Sequence, residues 1–459
     1  MDIGDIKKIH FIGIGGIGMS ALAKMMVVSD KEVSGSDLVE NQFTEELANM
    51  GATIYNDQIF EQVPEDVDLI VYSSAVPEDN PERARAQELN VDQLTYFEFL
   101  GAVSRDKFTI AVSGTHGKST TTAMLGKILI EAGLDPTIIV GSSLKDFSHG
   151  NYHHGNSKYF LVEACEYKAN FLNLDPNILI ITNIEAEHLD FYKDLEDVAA
   201  AFQRLNDKLP KDGLLIYNAD DYASTEIIRP QTESMNFSIS KEATFEAKDI
   251  DIKPGKLEYN VAKDGEEFIK QCELVVPGKF NVANSLAAIA CADHLGADKE
   301  KIKKALQDFK GLWRRIEVVG EYEGATIISD YGHHPTEIIA STEAIKEFYP
   351  ENRLVWVFQP HHHNRTKELF EDFTKSFGGV DVLLVSDIYD VAGREETEDQ
   401  DINSQKLANA ISDISPNIKV KYTGDLNDTE RAVIYEMKPG DVVVFQGAGD
   451  IDDVARKII

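Results

Sequence analysis

The chain has 459 residues, of which 43% are hydrophobic, so it is too long for one ordinary core and is expected to form two to four domains. Its formal charge of −34 argues against a general nucleic-acid or anionic-membrane surface, because phosphate groups would be repelled. The 3 cysteines lack C-x-x-C spacing, which indicates neither a disulfide scaffold nor a zinc knuckle and favours a reducing compartment. No apolar run approaches membrane-spanning length, so we expect a cytoplasmic protein.

From residue 8 onward, short β-branched runs alternate with amphipathic helical patterns, which is typical of parallel sheets covered by helices. The predicted strands are Ile9–Ile14, Asp68–Ser73, Phe108–Val112, Thr137–Val140, Tyr159–Val162, Ile178–Thr182, Leu214–Tyr217, Thr326–Ser329, Leu354–Phe358, Val382–Val385 and Asp441–Phe445. Polar and apolar residues alternate in Thr244–Val276, which predicts an antiparallel ribbon. Restarts of the strand-loop-helix pattern predict domains at residues 1–107, 108–312 and 313–459.

The first predicted strand leads into GIGGIGMS, which satisfies the dinucleotide-binding fingerprint. Its glycines are Gly13, Gly15, Gly16 and Gly18. Glycines let the backbone approach a pyrophosphate, and the following helix N-terminus supplies N–H donors. Ser36 and Asp37 stand at the end of a second strand, where the fingerprint expects an acidic residue for a ribose hydroxyl. NAD and the diphosphate of a UDP-sugar both fit this pattern, as does a tight turn without a ligand.

The central stretch FTIAVSGTHGKSTTTAML predicts a strand, a short loop and a helix. The loop is shorter than G-x-x-x-x-G-K-[ST], which would require glycine at Val112. Backbone N–H groups from Thr115 to Gly117 can surround phosphate oxygens, Lys118 can neutralise their charge, and the Ser119 hydroxyl can ligate Mg²⁺. A lysine at a helix start opposes the helix dipole and therefore needs an anion nearby.

Acidic residues follow two neighbouring predicted strands. Glu163 ends one strand in YFLVEACEYK, and ILIITNIEAEHLDFY places a polar cluster after the next. This cluster contains Asn183, Glu185, Glu187, His188 and Asp190. Hard oxygen ligands with one imidazole suit Mg²⁺ that bridges nucleotide phosphates. Without the loop at residues 114–119, these residues would be interpreted as solvated strand-end charges.

The C-terminal third contains two polar stretches, SDYGHHPTEI and VFQPHHHNRTKELF. The candidates there are Asp330, His333, His334, His361, His362, His363 and Arg365. Consecutive side chains in a strand or loop point in different directions, so three adjacent histidines do not all ligate one metal. One functional histidine with spare neighbours fits better. Arg314 and Arg315 can supply cations for a transferring phosphoryl group.

Six stretches, in chain order, resemble the blocks of the Mur ligase family in its alanine-adding branch: HFIGIGGIGMSALA, GTHGKSTTT, TNIEAEHLDFY, SDYGHHPTE, FQPHHHNRT and GAGDI. The resemblance implies an α/β fold of three domains, with Rossmann-like N- and C-terminal domains around a P-loop-type central ATPase domain. It implies an enzyme of peptidoglycan precursor synthesis that uses ATP and Mg²⁺. The lactyl carboxylate of UDP-N-acetylmuramate would be phosphorylated, and L-alanine would displace phosphate from the acyl phosphate.

The resemblance also implies roles for individual residues. The UDP-sugar contacts would be Gly13, Gly15, Gly16, Gly18, Ser36, Asp37, Ser73, Ser74 and Asn183. The ATP contacts would be Gly114, Thr115, His116, Gly117, Lys118, Ser119, Thr120, Asn281, Asn284, Arg315 and Asp330. The Mg²⁺ ligands would be Ser119, Glu163 and His188. The catalytic set would be Lys118, Glu163, His188, Arg315, His334 and Arg365, the last two at the amino-acid substrate.

Three positions depart from the pattern of the family. Gln203 stands where several sister Mur ligases carry a carbamylated lysine, which the alanine-adding branch also lacks. Phe280 replaces the usual histidine before Asn281. His362 stands where many members carry an arginine that helps Arg365 hold the alanine carboxylate, so the first cation of that pocket differs here.

Other functions remain open from the sequence alone. The murein-recycling ligase attaches a tripeptide to the same nucleotide sugar, but its N-terminal block usually departs from GIGGIGMSALA. An NAD-dependent dehydrogenase explains only the first glycine-rich loop, and a catalytically silent UDP-sugar sensor does not explain the intact Gly-Lys-Ser sequence. We expect a monomer or weak dimer with no nucleic-acid or membrane partner. The sequence does not fix alanine over serine or glycine, since one methyl group is poorly discriminated.

Overall fold

The computed structural model describes residues 3–189, 191–390 and 402–459. Asp190, one of the predicted strand-end residues, lies outside this range. The chain divides into two compact units. The first comprises Met1–Lys248, Asn260–Cys272 and Val282–Leu306, and the second comprises Asp249–Tyr259, Glu273–Asn281 and Gln307–Ile459.

The first unit begins with a parallel sheet and its helices. Its strands are β1 (Lys8–Ile12), β2 (Glu32–Ser36), β3 (Thr53–Tyr55), β4 (Leu69–Tyr72) and β5 (Asp92–Thr95). Its helices are α1 (Ile17–Val28), α2 (Gln42–Asn49), α3 (Pro81–Glu88) and α4 (Tyr96–Ser104), and a 3₁₀ turn covers Phe60–Gln62. The strand order β3-β2-β1-β4-β5 places the loop after β1 at the point where the order reverses, which is where ligands bind in such sheets.

The second sheet follows in the same unit. Its strands are β6 (Phe108–Ser113), β7 (Thr137–Ile139), β8 (Tyr152–His153), β9 (Tyr159–Glu163), β10 (Ile178–Ile181), β11 (Leu214–Asn218) and β12 (Glu233–Ser238). Its helices are α5 (Lys118–Glu131), α6 (Leu195–Asn206) and α7 (Tyr222–Glu226), and a 3₁₀ segment covers Tyr167–Asn173. Among these strands the order is β12-β11-β10-β6-β9-β7-β8, three later strands extend the sheet beyond β12, and β10 and β9 pair in parallel on either side of β6. The loops after these central strands therefore meet at one sheet edge.

The segment predicted as a ribbon forms consecutive strands, β13 (Phe245–Lys253), β14 (Lys256–Lys263) and β15 (Glu266–Leu274). The connection Asp264-Gly265 has φ of 52° and 80°, as a type I′ hairpin turn requires. Two helices follow, α8 (Lys279–His294) and α9 (Lys299–Gln307).

The second unit contains the remaining sheet. Its strands are β16 (Glu317–Tyr322), β17 (Ala325–Asp330), β18 (Leu354–Phe358), β19 (Val382–Ser386), β20 (Lys419–Gly424) and β21 (Val442–Gln446). Its helices are α10 (Pro335–Phe348), α11 (His363–Glu368), α12 (Phe370–Thr374), α13 (Ser404–Ile414), α14 (Leu426–Glu436) and α15 (Ile451–Ile458). The order is β16-β17-β21-β18-β19-β20, and β16 pairs antiparallel with β17 whereas the others pair in parallel.

Continuous apolar strands form the cores. All residues of β10 and β18 are buried, because helices cover both faces of these parallel sheets. In β18, the buried Trp356 indole N–H donates to Gln446 Oε1 at 2.9 Å, so its polar atom is satisfied. The predicted α/β class is confirmed. Within the described ranges, no helix is both long and apolar enough to cross a bilayer.

All the strands that we predicted are present, with ends that differ by up to two residues. The sequence did not predict β3, β5, β8, β12, β16 and β20, of which all but β12 lie at sheet edges in the described structure. Edge strands are short and polar, which protects them from pairing with other chains and removes the apolar run that marks a central strand.

Candidate active site

The loop after β6 depends on two glycines in the left-handed region of backbone space. Gly114 has φ 137° and Gly117 has φ 82°. A Cβ atom at Gly114 would lie 2.0 Å from Thr182 Oγ1, and one at Gly117 would lie 2.4 Å from Asn284 Oδ1. Larger residues therefore fit at neither position. Gly117 caps α5, so the unpaired N–H groups of the first helical turn begin directly after this loop.

The segment after β10 holds the loop in shape. The Asn183 side chain accepts from the His116 N–H at 2.9 Å and donates to the His116 carbonyl at 3.2 Å. Thr182 Oγ1 donates to the same carbonyl at 2.6 Å, and the Glu185 N–H donates to Thr115 Oγ1 at 2.9 Å. The structure thus places Asn183 against the loop backbone, and its contact with a UDP-sugar stays a prediction.

Lys118 at the start of α5 has the anionic partner that its position requires. Its Nζ donates to the carbonyls of Gly114 and Thr115 at 2.5 and 2.9 Å and pairs with Glu166 at 2.9 Å. Burial lowers the pKa of Lys118, but the surrounding negative charges, led by that of Glu166, together outweigh burial and leave it raised. Burial raises the pKa of Glu166, but the charge of Lys118 and the hydrogen bonds that the carboxylate accepts, including that from His188, together outweigh burial and leave it lowered. Both groups are therefore charged at neutral pH.

Sequence reasoning did not identify Glu166, although it stands beside Glu163 in EACEYK. Donor atoms of Glu166, Glu187 and His188 lie within 4.8 Å of one another. Burial lowers the pKa of His188, but the carboxylates of Glu166 and Glu187 outweigh it and leave the pKa raised. Two carboxylates with one imidazole fit a divalent cation beside nucleotide phosphates.

The other predicted Mg²⁺ ligands lie nearby in the same unit. Glu163 Oε2 accepts from the Gly141 N–H at 2.8 Å, and Ser119 is buried in the first turn of α5. His188 is the member of the predicted set that joins the observed cluster, while metal binding by Ser119 and Glu163 stays a prediction.

Two predicted positions are accounted for by local hydrogen bonds. Asn284 Oδ1 accepts from the Thr121 hydroxyl at 3.3 Å beside the phosphate loop, whereas Asn281 donates to the Pro277 carbonyl at 2.7 Å. Their contacts with adenine stay predictions. Gln203 uses both ends of its amide on the Arg229 backbone, at 2.7 and 3.2 Å, so this position contributes no charge.

The glycine-rich loop after β1 is held by the end of β2. The N–H groups of Gly13 and Ile14 donate to the Ser36 carbonyl at 2.8 and 3.0 Å. The Gly15 N–H donates to Asp37 Oδ2 at 2.8 Å. Ser36 and Asp37 therefore contact this loop, and their contact with a ribose or diphosphate stays a prediction.

The remaining predicted UDP-sugar positions surround the same loop. A Cβ atom at Gly18 would lie 2.7 Å from Tyr96 Cζ, so the start of α1 packs closely under this ring. Gly16 caps α1 without a side-chain hydrogen bond. Ser73 lies beside Gly13, where a Cβ atom would lie 3.1 Å from the Ser73 Cβ, and Ser74 is exposed.

In the second unit, the predicted ATP residue Asp330 organises the end of β17. Its carboxylate accepts from the N–H of Ile316 at 3.1 Å and of Gly332 at 3.3 Å. It also accepts from Ser341 Oγ at 2.9 Å and Gln446 Nε2 at 2.7 Å. These bonds tie β17 to β21 and α10, and ribose binding by Asp330 stays a prediction.

The adjacent arginines differ in their surroundings. Arg314 is buried and donates to the carbonyls of Gly447 and Gly449, at 2.5 and 2.7 Å, which fixes the GAGDI turn. Arg315 is half-buried, and its guanidinium carbon lies 5.0 Å from the centre of the Tyr331 ring. Arg315 is therefore the more accessible cation, and its contact with ATP stays a prediction.

The two histidines before α10 have different environments. The His334 ring accepts from the Thr336 N–H at 3.3 Å and caps the helix. The His333 ring lies 5.7 Å from that of His361. Burial lowers the pKa of His333. The charge of Glu337 opposes this effect, and the charge of Arg365 adds to it. His333 is thus a neutral imidazole; it was a candidate from the sequence but not a member of the predicted catalytic set, and the role of His334 stays a prediction.

The HHH stretch does not form a metal site among the described residues. His363 Nδ1 lies 2.8 Å from Asp390 Oδ2, and His362 Nδ1 lies 3.9 Å from Asp390 Oδ1. The His361 ring stacks on Tyr389 at 5.6 Å. His362 and His363 therefore share Asp390 as a neighbour, whereas His361 packs against Tyr389.

A strand, a tight Gly-Lys-Ser loop, a buried lysine–glutamate pair and adjacent metal-type ligands define a P-loop-type nucleotide-binding enzyme. The chain belongs to the Mur ligase family. Residues 8–108 match the model of the Mur ligase family, catalytic domain, and residues 112–292 match the Mur ligase middle domain. Residues 314–449 match the Mur ligase, glutamate ligase domain. The resemblance found in the motifs and the three-domain architecture that it implied are confirmed.

Similar proteins match over nearly the whole chain. The UDP-N-acetylmuramate–L-alanine ligase of Clostridium tetani is 43% identical over 97% of this chain and 96% of its own. The UDP-N-acetylmuramate–L-alanine ligase of Alkaliphilus metalliredigens is 40% identical over 100% of this chain and 98% of its own. The crystal structure of the UDP-N-acetylmuramate-alanine ligase of Thermotoga maritima superposes with a TM-score of 0.85, at 29% identity over 98% of each chain. A murein peptide ligase from Psychrobacter arcticus superposes with a TM-score of 0.71 at 22% identity, over 98% of each chain, and shows the fold alone.

Proposed function

We propose that this chain ligates L-alanine to the lactyl carboxylate of UDP-N-acetylmuramate, with conversion of ATP to ADP and phosphate. The observation that carries the proposal is the buried Lys118–Glu166 pair in the phosphate loop. It is supported by 43% identity, over 97% of this chain, to a relative named as such a ligase. The predicted domains 1–107, 108–312 and 313–459 would hold the sugar nucleotide, ATP and the amino acid.

In the first step, a lactyl carboxylate oxygen attacks the γ-phosphorus of ATP, the bond to the β-phosphate oxygen breaks, and ADP leaves. The loop backbone from Thr115 to Gly117 would surround the phosphates, and Lys118 would neutralise them from a position that Glu166 and two carbonyls fix. Mg²⁺, held by Glu166, Glu187 and His188 together with the predicted Ser119 and Glu163, would supply further positive charge at the phosphate oxygens.

In the second step, the neutral amine of alanine attacks the acyl carbonyl, the bond from carbon to the phosphate oxygen breaks, and the proton that the nitrogen loses leaves with the phosphate. Arg365 would hold the alanine carboxylate. The neutral His333 would accept a hydrogen bond from the ammonium form, and the amine must lose a proton to react. Arg315 would add positive charge at the transferring phosphoryl group.

The test is phosphate release from ATP and Mg²⁺ with UDP-N-acetylmuramate, with and without each amino acid. We expect release to require both UDP-N-acetylmuramate and L-alanine. Release that requires a tripeptide instead would favour the murein-recycling ligase, whose fold this chain shares. Lys118→Ala should reduce turnover severely without weakening UDP-N-acetylmuramate binding, because the sugar nucleotide is expected at the loop after β1.

The same proposal places the reaction in the cytoplasm, where ATP and nucleotide sugars are available, and the protein as a monomer or weak dimer. Light scattering over a range of protein concentrations tests the oligomeric state.

A further inference from the structure

The proposed reaction requires one substrate to reach two sheets. The diphosphate of the sugar nucleotide would lie at the loop after β1, and the reacting carboxylate would lie at the phosphate loop after β6. Reactive groups must be held in near-attack geometry, and a misplacement of about 1 Å can cost about 100-fold in rate. The first two sheets therefore need a fixed relative position, and both belong to the same compact unit.

A buried lysine connects the two sheets. Lys24 lies on α1 and is 0% exposed. Its ammonium pairs with Glu46 on α2, and it also donates to the His149 carbonyl at 3.1 Å and to Asn151 Oδ1 at 2.8 Å. Glu46 belongs to the helices of the first sheet, whereas His149 and Asn151 lie in the connection between β7 and β8. The same ammonium thus binds groups from both sheets.

Asn151 makes the reciprocal contact. Its side-chain N–H₂ donates to the Ile17 carbonyl at 2.6 Å and to Ser20 Oγ at 2.8 Å. Ile17 and Ser20 form the first turn of α1, directly after the glycine-rich loop. Asn151 is itself 0% exposed, so these bonds are shielded from water.

The same connection reaches the phosphate site. The Val140 N–H donates to the Asn151 carbonyl at 3.1 Å, and the next residue, Gly141, donates its N–H to Glu163 at 2.8 Å. A short chain of hydrogen bonds and covalent links therefore connects the first turn of α1 with a predicted Mg²⁺ ligand.

We propose that Lys24 and Asn151 are positioning residues that hold the sugar-nucleotide loop in register with the phosphate loop. The inference rests on the proposed function, because it assumes that the loop after β1 binds the sugar nucleotide and the loop after β6 binds ATP. A shared apolar core already joins the two sheets, so adhesion does not require a buried charge. Apolar packing lacks the directionality of hydrogen bonds, and a buried ammonium is tolerated only in a geometry that satisfies it. Lys24 and Asn151 thus form a clamp that specifies one relative position of the two sheets.

The test compares Lys24→Met and Asn151→Leu with the control Lys31→Met. The Lys31 ammonium donates to the carbonyls of Ile3, Gly4 and Ile6, which lie beside the first sheet, so its loss removes comparable bonds without affecting the clamp. We expect kcat at saturating substrates to fall by about 10- to 100-fold in both clamp variants. The Kd for UDP-N-acetylmuramate should change less than about twofold, because the loop itself is intact.

A kcat for Lys24→Met equal to that of Lys31→Met would overturn the inference, as would a parallel loss of kcat and UDP-N-acetylmuramate affinity. If Lys24→Met does not fold, Asn151→Ser provides the same comparison, since it removes the donors to Ile17 and Ser20. Pulsed electron paramagnetic resonance between one spin label on each sheet tests the clamp without catalysis. A broader distance distribution in the clamp variants supports it and an unchanged one overturns it. Inactivity of the wild-type chain would refute the proposed function instead.

Discussion

Replacement of Glu166 by glutamine leaves the ammonium of Lys118 buried without its counter-charge. The side chains of Lys118 and Glu166 are 14% and 3% exposed, so water does not replace the lost carboxylate. Removal of one partner from a buried ion pair typically costs about 3–5 kcal/mol. Lys118 keeps the carbonyls of Gly114 and Thr115, which offset part of this cost. We therefore expect Glu166→Gln to lower the free energy of unfolding by about 3 kcal/mol.

The assay is urea unfolding of the chain without nucleotide and Mg²⁺, monitored by a probe in the first compact unit. The matched control is Glu131→Gln, which breaks the pair with Lys304 at 2.9 Å. The side chains of that pair are 34% and 59% exposed, and exposed pairs contribute about 0–1 kcal/mol.

Saturating ATP supplies an alternative anion to Lys118. The difference between wild type and Glu166→Gln should therefore shrink when ATP is added, whereas the effect of Glu131→Gln should not respond. The reasoning is refuted if Glu166→Gln loses no more stability than Glu131→Gln, or if ATP leaves its deficit unchanged.

Other predictions concern the loop and the second unit. Asn183→Ala should raise the KM for ATP by about 5- to 150-fold, because two bonds to the His116 backbone are lost, each contributing about 0.5–1.5 kcal/mol, and the Kd for UDP-N-acetylmuramate should stay constant. The lowered pKa of His333 keeps it neutral, so stability should be full above about pH 6.5 and decline as pH falls below it. In the variant His333→Gln, the midpoint temperature of thermal unfolding should depend less on pH across that range. For His362→Arg, the ratio of alanine KM between wild type and variant should grow with pH, because arginine stays charged whereas an imidazole does not; a flat ratio would mean that Arg365 suffices.

The sequence predicted central strands well because those strands are buried on both faces. The runs ILII in β10 and LVWVF in β18 contain only apolar residues, which is the pattern of a covered parallel strand. By contrast, β20 is KVKYTG, whose alternating lysines resemble an exposed loop as much as an edge strand. Hydrogen bonding to a neighbour decides such cases, and the neighbour is distant in sequence.

Two glycine loops were also predictable, because their spacing reflects a backbone constraint. Gly117 must adopt φ 82° where another residue would be strained and would collide with Asn284. The choice between neighbouring side chains was not predictable in the same way. Glu163 and Glu166 are both acidic and close in sequence, and the path of the chain after β9 decides which of them contacts Lys118.

The same distinction explains why the polar residues at strand ends carry less information than the glycines. Asp37, Asn183 and Asp330 were each predicted to contact a ligand, and in the structure each accepts from a backbone N–H of another segment, at Gly15, His116 and Ile316 respectively. A carboxylate or amide at the end of a parallel strand has the chemistry to bind either a nucleotide or the unpaired N–H groups of the turn. Residue type therefore predicts a polar contact at this edge of the sheet, but the partner follows from which N–H groups the fold leaves unpaired. A loop that is fixed in this way can approach a phosphate without reorganisation, which is the condition for electrostatic stabilisation of a transferring phosphoryl group. We therefore expect these side chains to act on the reaction through the backbone that they hold.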